Sequence, residues 1–215
     1  MSAKIKNIIF DLGGVVLDID ENIVYKELEK LGINVSELAR SKEFIEIMSK
    51  FDTGVYTAPT FRKKTKALLG LEKMTDQKFD SIWNSMLLDI PRERIEAIEQ
   101  IKKHYKIFLM SNSNEIHYDL YVRDLQLRFG YDEFDKLFNK SYFSFDIHLE
   151  KPNPHFFELI LDHEHLLSEE TLFIDDTEKN IKVAKSLGIN TYHISRKELM
   201  RNLFDKGMLK EGIVD

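Results

Sequence analysis

Five short apolar runs, at residues 5–10, 107–110, 142–145, 172–174 and 191–194, punctuate this chain, and helical periodicity fills most of the gaps between them. Runs of that length without polar alternation read as strands buried on both faces. Ile95, Ile98, Ile101 and Tyr105 make one apolar helical stripe. Phe156, Leu159, Ile160 and His163 make a second, and Ile181, Ala184 and Leu187 a third that Gly188 closes. Strand–helix alternation predicts an α/β fold, a doubly wound parallel sheet with helices on both faces.

The rhythm fails once. From residue 18 to residue 90 the pattern gives helix after helix, at 22–31, 36–51, 59–69 and 75–86, with no convincing strand. Pro91 restarts the alternation. The expected organisation is therefore one α/β core, residues 1–17 and 91–215, with a helical insert, residues 18–90, placed after the first strand. A chain of 215 residues is long enough for both, and can bury roughly 70% of its unfolded surface.

Composition narrows the functions. The net charge of -6 gives no electrostatic reason to expect nucleic acid or an anionic membrane as partner. With no cysteine, disulfides, thiolate zinc sites and cysteine nucleophiles are excluded, which fits a reducing cytoplasm. The N-terminal ten residues lack the long apolar region of a signal peptide. No stretch approaches the roughly 20 apolar residues of a membrane helix.

In an open parallel sheet, ligands sit beyond the carboxyl ends of the strands. The first run ends in Phe10, Asp11, Leu12, Gly13 and Gly14. A carboxylate at the end of a buried strand is costly without a partner, and the glycines allow a sharp turn and close approach to a ligand; a capping acid would account for the same pattern. The second run ends in Ser111, Asn112, Ser113 and Asn114, which can hold a phosphate oxygen or simply cap a helix. Lys151 precedes Pro152 and Pro154 and is held by a restricted backbone, or is a surface lysine. The fourth run ends in Asp175 and Asp176, with Asn180 one helical turn on. Adjacent acids repel unless a cation joins them, and magnesium favours such hard oxygen ligands; helix capping is the plainer alternative.

Taken together, in this order, the four strand ends resemble the four motifs of the haloacid dehalogenase superfamily, and the resemblance spans nearly the whole chain. It is nearest the branch with a small helical cap that contains sugar-phosphate phosphatases and the phosphatase half of soluble epoxide hydrolases. The segment from Met110 to His117 is similar to that of bacterial glucose-1-phosphate phosphatases. The resemblance implies a Rossmann-like core with an inserted cap, and a magnesium-dependent phosphatase acting on a small phosphate monoester, sugar phosphates included. Asp11 would be the nucleophile and become a phospho-aspartate. Mg2+ would be held by Asp11, the carbonyl of Gly13 and Asp176, with Asp175 acting through water or as a weaker ligand. Lys151 would stabilise the transition state, and Ser111 and the amide of Asn112 would hold the transferring group.

One position departs from the pattern. Most phosphatases of the superfamily carry a second aspartate where this chain has Gly13, and that aspartate protonates the leaving oxygen. His117 is a candidate substitute, though packing under the cap is the preferred reading. Two other readings remain open: a 2-haloacid dehalogenase, which needs neither that acid nor a metal, and a non-catalytic phosphate-binding protein. Outside the motifs, His163 and His165 lie in a polar segment that disfavours zinc, Arg62, Lys63 and Lys64 read as an exposed helix face, and Trp83 is expected to pack the cap to the core.

Overall fold

A computed structural model of the chain describes residues 4–195 and 199–214. The first three residues of the N-terminal segment and the final residue of the expected core lie outside that description. Among the described residues no helix is long and apolar enough to cross a membrane.

The five apolar runs form strands β1 (Asn7–Phe10), β2 (Lys106–Ser111), β3 (Lys140–Phe143), β4 (Thr171–Asp175) and β5 (Asn190–His193). They pair in parallel in the order β3-β2-β1-β4-β5. Period-two alternation sorts their side chains. Ile8, Phe10, Ile107 and Leu109 join one buried cluster, and Ile9, Phe108 and Met110 join another on the opposite face. The chain moves outward from β1 in one direction through β2 and β3, then returns to the other side at β4. The strand order therefore reverses beside β1, and the crevice there is where a doubly wound sheet binds ligands.

The stretch after β1 contains helices α1 (Glu21–Lys30), α2 (Val35–Leu38), α3 (Lys42–Asp52), α4 (Ala58–Leu69) and α5 (Asp76–Trp83). Sequence periodicity reads residues 36–51 as one helix; the chain instead turns at 39–41. Ser41 stops the first piece and caps the second, its hydroxyl accepting from the Phe44 N–H at 3.3 Å. These helices bury their own apolar cluster, with Phe51 and Phe61 stacked at 4.0 Å and Phe61 edge-on to Trp83. Ile116 of the α/β layer belongs to the same cluster. The two passages of chain that enter and leave this layer run side by side: Asp18 N–H donates to Asp89 O, Leu88 N–H to Asp18 O and Asp20 N–H to Met86 O.

Beyond it follow α6 (Arg92–Ile101), α7 (Glu115–Phe129), the short α8 (Phe134–Leu137) and α9 (Ser144–Ile147), then α10 (Pro154–His163) and α11 (Glu178–Ser186). The third apolar run, 142–145, is half strand and half helical turn. The Ser144 hydroxyl accepts from Ser113 N–H at 2.9 Å and donates to Ser113 O at 3.1 Å, which draws the chain out of the sheet after Phe143.

Candidate active site

Asp11, Ser111 and Asp175 all stand at the carboxyl ends of neighbouring strands, and Lys151 reaches into the same crevice. All four are buried. The Lys151 ammonium donates to Asp11 Oδ1 at 2.7 Å and to Asp175 Oδ2 at 2.8 Å. Asp175 is held further by the Thr177 N–H at 2.7 Å and by the Asn180 amide, which reaches both carboxylate oxygens at 3.1 and 3.0 Å. The helix-start polar groups after β4 thus act on the buried acid from behind.

Asp11, Asp175 and Asp176 each offer an oxygen, all within 4.8 Å of one another. Three hard carboxylate oxygens fit magnesium rather than a softer metal. Lys151 pairs with two of the three acids, Asp11 and Asp175. Burial, opposed by Lys151 and reinforced by the charges of Asp175 and Asp176, pushes Asp11 up to about 7. Burial pulls Lys151 down, but Asp11 and Asp175 outweigh it and hold the ammonium above its ordinary value. A divalent cation here would favour the ionised form of Asp11.

The two glycines after Asp11 differ. Gly14 adopts a φ of +77°, and a Cβ there would lie 2.5 Å from Asp176 Oδ2. Glycine at this point lets the acid approach the turn. Gly13 has no such φ, and a Cβ there would meet only the end of the Ile19 side chain at 3.1 Å. Backbone geometry therefore does not dictate glycine at 13; the lack of a side chain is a chemical property of the site.

The Asn112 side chain has a part that sequence reasoning missed. Its Nδ2 donates to Lys151 O and its Oδ1 accepts from Lys151 N–H, both at 2.8 Å. This paired clamp fixes the lysine backbone beside a cis Lys151–Pro152 peptide. His117 is buried under the helical layer, stacked on Trp83 at 6.0 Å, with Nδ1 2.8 Å from Asn84 Oδ1. Burial pulls its pKa down to about 4. Arg62 forms a two-pronged ion pair with Asp80 within the helical layer.

A cavity of about 430 Å³ opens between the helical layer and the loop that follows Ser111. Leu28, Met48 and Trp83 give it apolar walls; Asp52, Asn112 and Asn114 give it a polar end.

Residues 5–188 match the haloacid dehalogenase-like hydrolase family. The chain belongs to that family. A D-ribitol-5-phosphate phosphatase of Bacteroides thetaiotaomicron is 30% identical over 193 residues, covering 87% of this chain and 91% of that one. A haloacid dehalogenase family enzyme from the same organism, crystallised with magnesium and inorganic phosphate, superposes with a TM-score of 0.85 at 30% identity, covering 94% of this chain and all of that one. A Porphyromonas gingivalis structure described as a predicted hydrolase of this family gives 0.81 at 28% identity over 91% and 94%. This haloacid dehalogenase-like hydrolase thus shares the parallel-sheet core of its relatives across nearly its whole length.

Proposed function

We propose that the chain is a magnesium-dependent phosphatase that hydrolyses a phosphorylated small molecule through a phospho-aspartate on Asp11. The acid cluster carries this reading: three carboxylates converge on one space, and Lys151 pairs with two of them. Neither an anionic ester nor a carboxylate attack on it is tolerable until that charge is neutralised. Asp11, Asp176 and the Gly13 carbonyl would hold the magnesium ion, which when bound supplies the missing positive charge.

The chain's own groups do the rest. Asp11 attacks phosphorus. Lys151, anchored by Asn112 and oriented by Asp175, meets the charge that grows on the phosphoryl oxygens. The Ser111 hydroxyl and the Asn112 N–H hold those oxygens. Both oxygens of Asp175 are already engaged, so its part is to position Lys151 and to touch the metal at most through water. Residues 18–90 serve as the cap, roofing the cavity that takes the leaving group. The similarity to a D-ribitol-5-phosphate phosphatase makes polyol and sugar phosphates the first class to test. Absence of cysteine fits work in the cytoplasm.

The dehalogenase reading, which calls for no metal, gives no role to the convergence of a third carboxylate, Asp176, on the Lys151-paired Asp11 and Asp175. The test is hydrolysis of p-nitrophenyl phosphate and of a polyol phosphate panel. Turnover that requires magnesium and disappears with a chelator is expected. Halide release from a 2-haloacid, or phosphatase turnover indifferent to the chelator, would overturn the reading.

A further inference from the structure

Gly13 leaves the departing oxygen without a proton donor, and His117 does not replace it. At neutral pH its imidazole is uncharged, and Nδ1 already faces the Asn84 carbonyl oxygen. We propose that Asp52 protonates the leaving oxygen and later takes a proton from the attacking water, standing in for the acid absent at Gly13. The inference rests on the phosphatase reading above.

Position comes first. Asp52 is the last residue of α3, and the turn after it is pressed onto the α/β layer. A Cβ on Gly54 would lie 2.0 Å from Phe145 O, and His148 Nδ1 lies 2.7 Å from Thr53 O. One turn earlier, the Ser49 hydroxyl donates to Glu150 Oε1 at 3.0 Å. On the other side, Asn114 Nδ2 donates to Asp52 Oδ1 at 3.0 Å. Asp52 is therefore bracketed by the residue before Lys151 and by the loop that begins at Ser111, the two segments that grip the phosphoryl group. It lines the cavity along with Asn112, Asn114 and His117.

The surroundings suit proton transfer. An acid at the C-terminal end of a helix is opposed by the helix dipole, so capping does not explain it. The residue keeps partial exposure, as a wall of the cavity should, yet protein encloses its carboxyl. Burial raises its pKa to about 7, against the Asn114 hydrogen bond and helped by Glu150. A general acid works best with a pKa near the operating pH. The titratable groups around it are Glu150, and across the cavity Glu21, Tyr25 and His117.

The steps balance. In the first, the Asp11 carboxylate bonds to phosphorus, the phosphorus–oxygen bond to the leaving group breaks, and the Asp52 proton moves to that oxygen to give the alcohol. In the second, water bonds to phosphorus, its proton passes to the Asp52 carboxylate, and the Asp11–phosphorus bond breaks to give hydrogen phosphate. Asp52 ends protonated and Asp11 ionised, as they began.

Asp52→Asn tests this, since the amide still accepts from Asn114 and changes little volume. The ratio kcat/KM reports the first step only. For p-nitrophenyl phosphate, whose leaving group needs no proton, it should fall far less than for a polyol phosphate. For a polyol phosphate it should fall by roughly 10²- to 10⁴-fold, the range for loss of a general acid. Equal losses on both esters would reduce Asp52 to a structural part, and no loss on either would remove it from the reaction; both overturn the proposal. If the unaltered enzyme hydrolyses neither ester with magnesium present, the phosphatase reading fails instead, and the two failures are told apart.

Discussion

Asp11→Asn is expected to lower kcat toward p-nitrophenyl phosphate by at least about 10⁴-fold, a barrier increase of roughly 5 kcal/mol. The substitution removes the attacking charge and changes little volume, so the fold should persist. A residual rate within about tenfold of the unaltered enzyme would mean that another group attacks phosphorus. The same variant has a second signature in metal-free protein. Burial raises the folded pKa of Asp11 from the ordinary 3.8 to about 7. Its contribution to stability is then fully present below the unfolded pKa and is lost as pH rises through about 7. Metal-free wild-type protein should therefore lose stability between about pH 4 and pH 7, and Asp11→Asn should lose less over that window. Denaturant unfolding across pH decides this; a variant whose stability falls as steeply as the parent's would contradict the assignment.

Lys151→Met should have the largest effect on stability. The ammonium is buried and bridges two carboxylates that have no other cation among the described contacts. Removing one partner of a buried ion pair costs about 3–5 kcal/mol, because the remaining charges stay buried and uncompensated. In metal-free protein near pH 8 the loss should approach that range. It should shrink near pH 5, where Asp11 takes up a proton. Saturating magnesium should restore much of the stability by binding the folded state, yet kcat should remain down by roughly 10²- to 10³-fold, the scale of one lost transition-state donor. Full activity in the magnesium-saturated variant would show that Lys151 serves only the fold.

Asp11 and Asp175 are legible in sequence because an acid closing a buried strand is physically expensive and has to be explained. The strands are legible for a related reason, since fully buried runs leave no room for polar alternation. The break between α2 and α3 is not legible. Arg40 and Ser41 fit the exposed face of a continuous helix, and only the Ser41 cap reveals the turn. Nor is the end of β3, which depends on Ser144 bonding to Ser113 from 31 residues away. The side-chain clamp of Asn112 on Lys151 spans 39 residues, and in sequence an amide after a strand reads simply as a helix cap. Asp52 sits on a helix whose pattern announces packing. The one local sign was an acid in the last turn, where the dipole disfavours it. Which of Gly13 and Gly14 needs to be glycine is a matter of φ and of how near Asp176 lies, and neither is written in residue order.

The central claim is that phosphorus is transferred to Asp11. It is tested most directly by quenching the enzyme in acid during turnover of p-nitrophenyl phosphate with magnesium and digesting it for mass spectrometry. The account predicts one added phosphoryl group on the peptide that carries Asp11, absent when magnesium is chelated and absent in Asp11→Asn. Turnover with no phosphorylated peptide, or with the phosphoryl group on another residue, would contradict it.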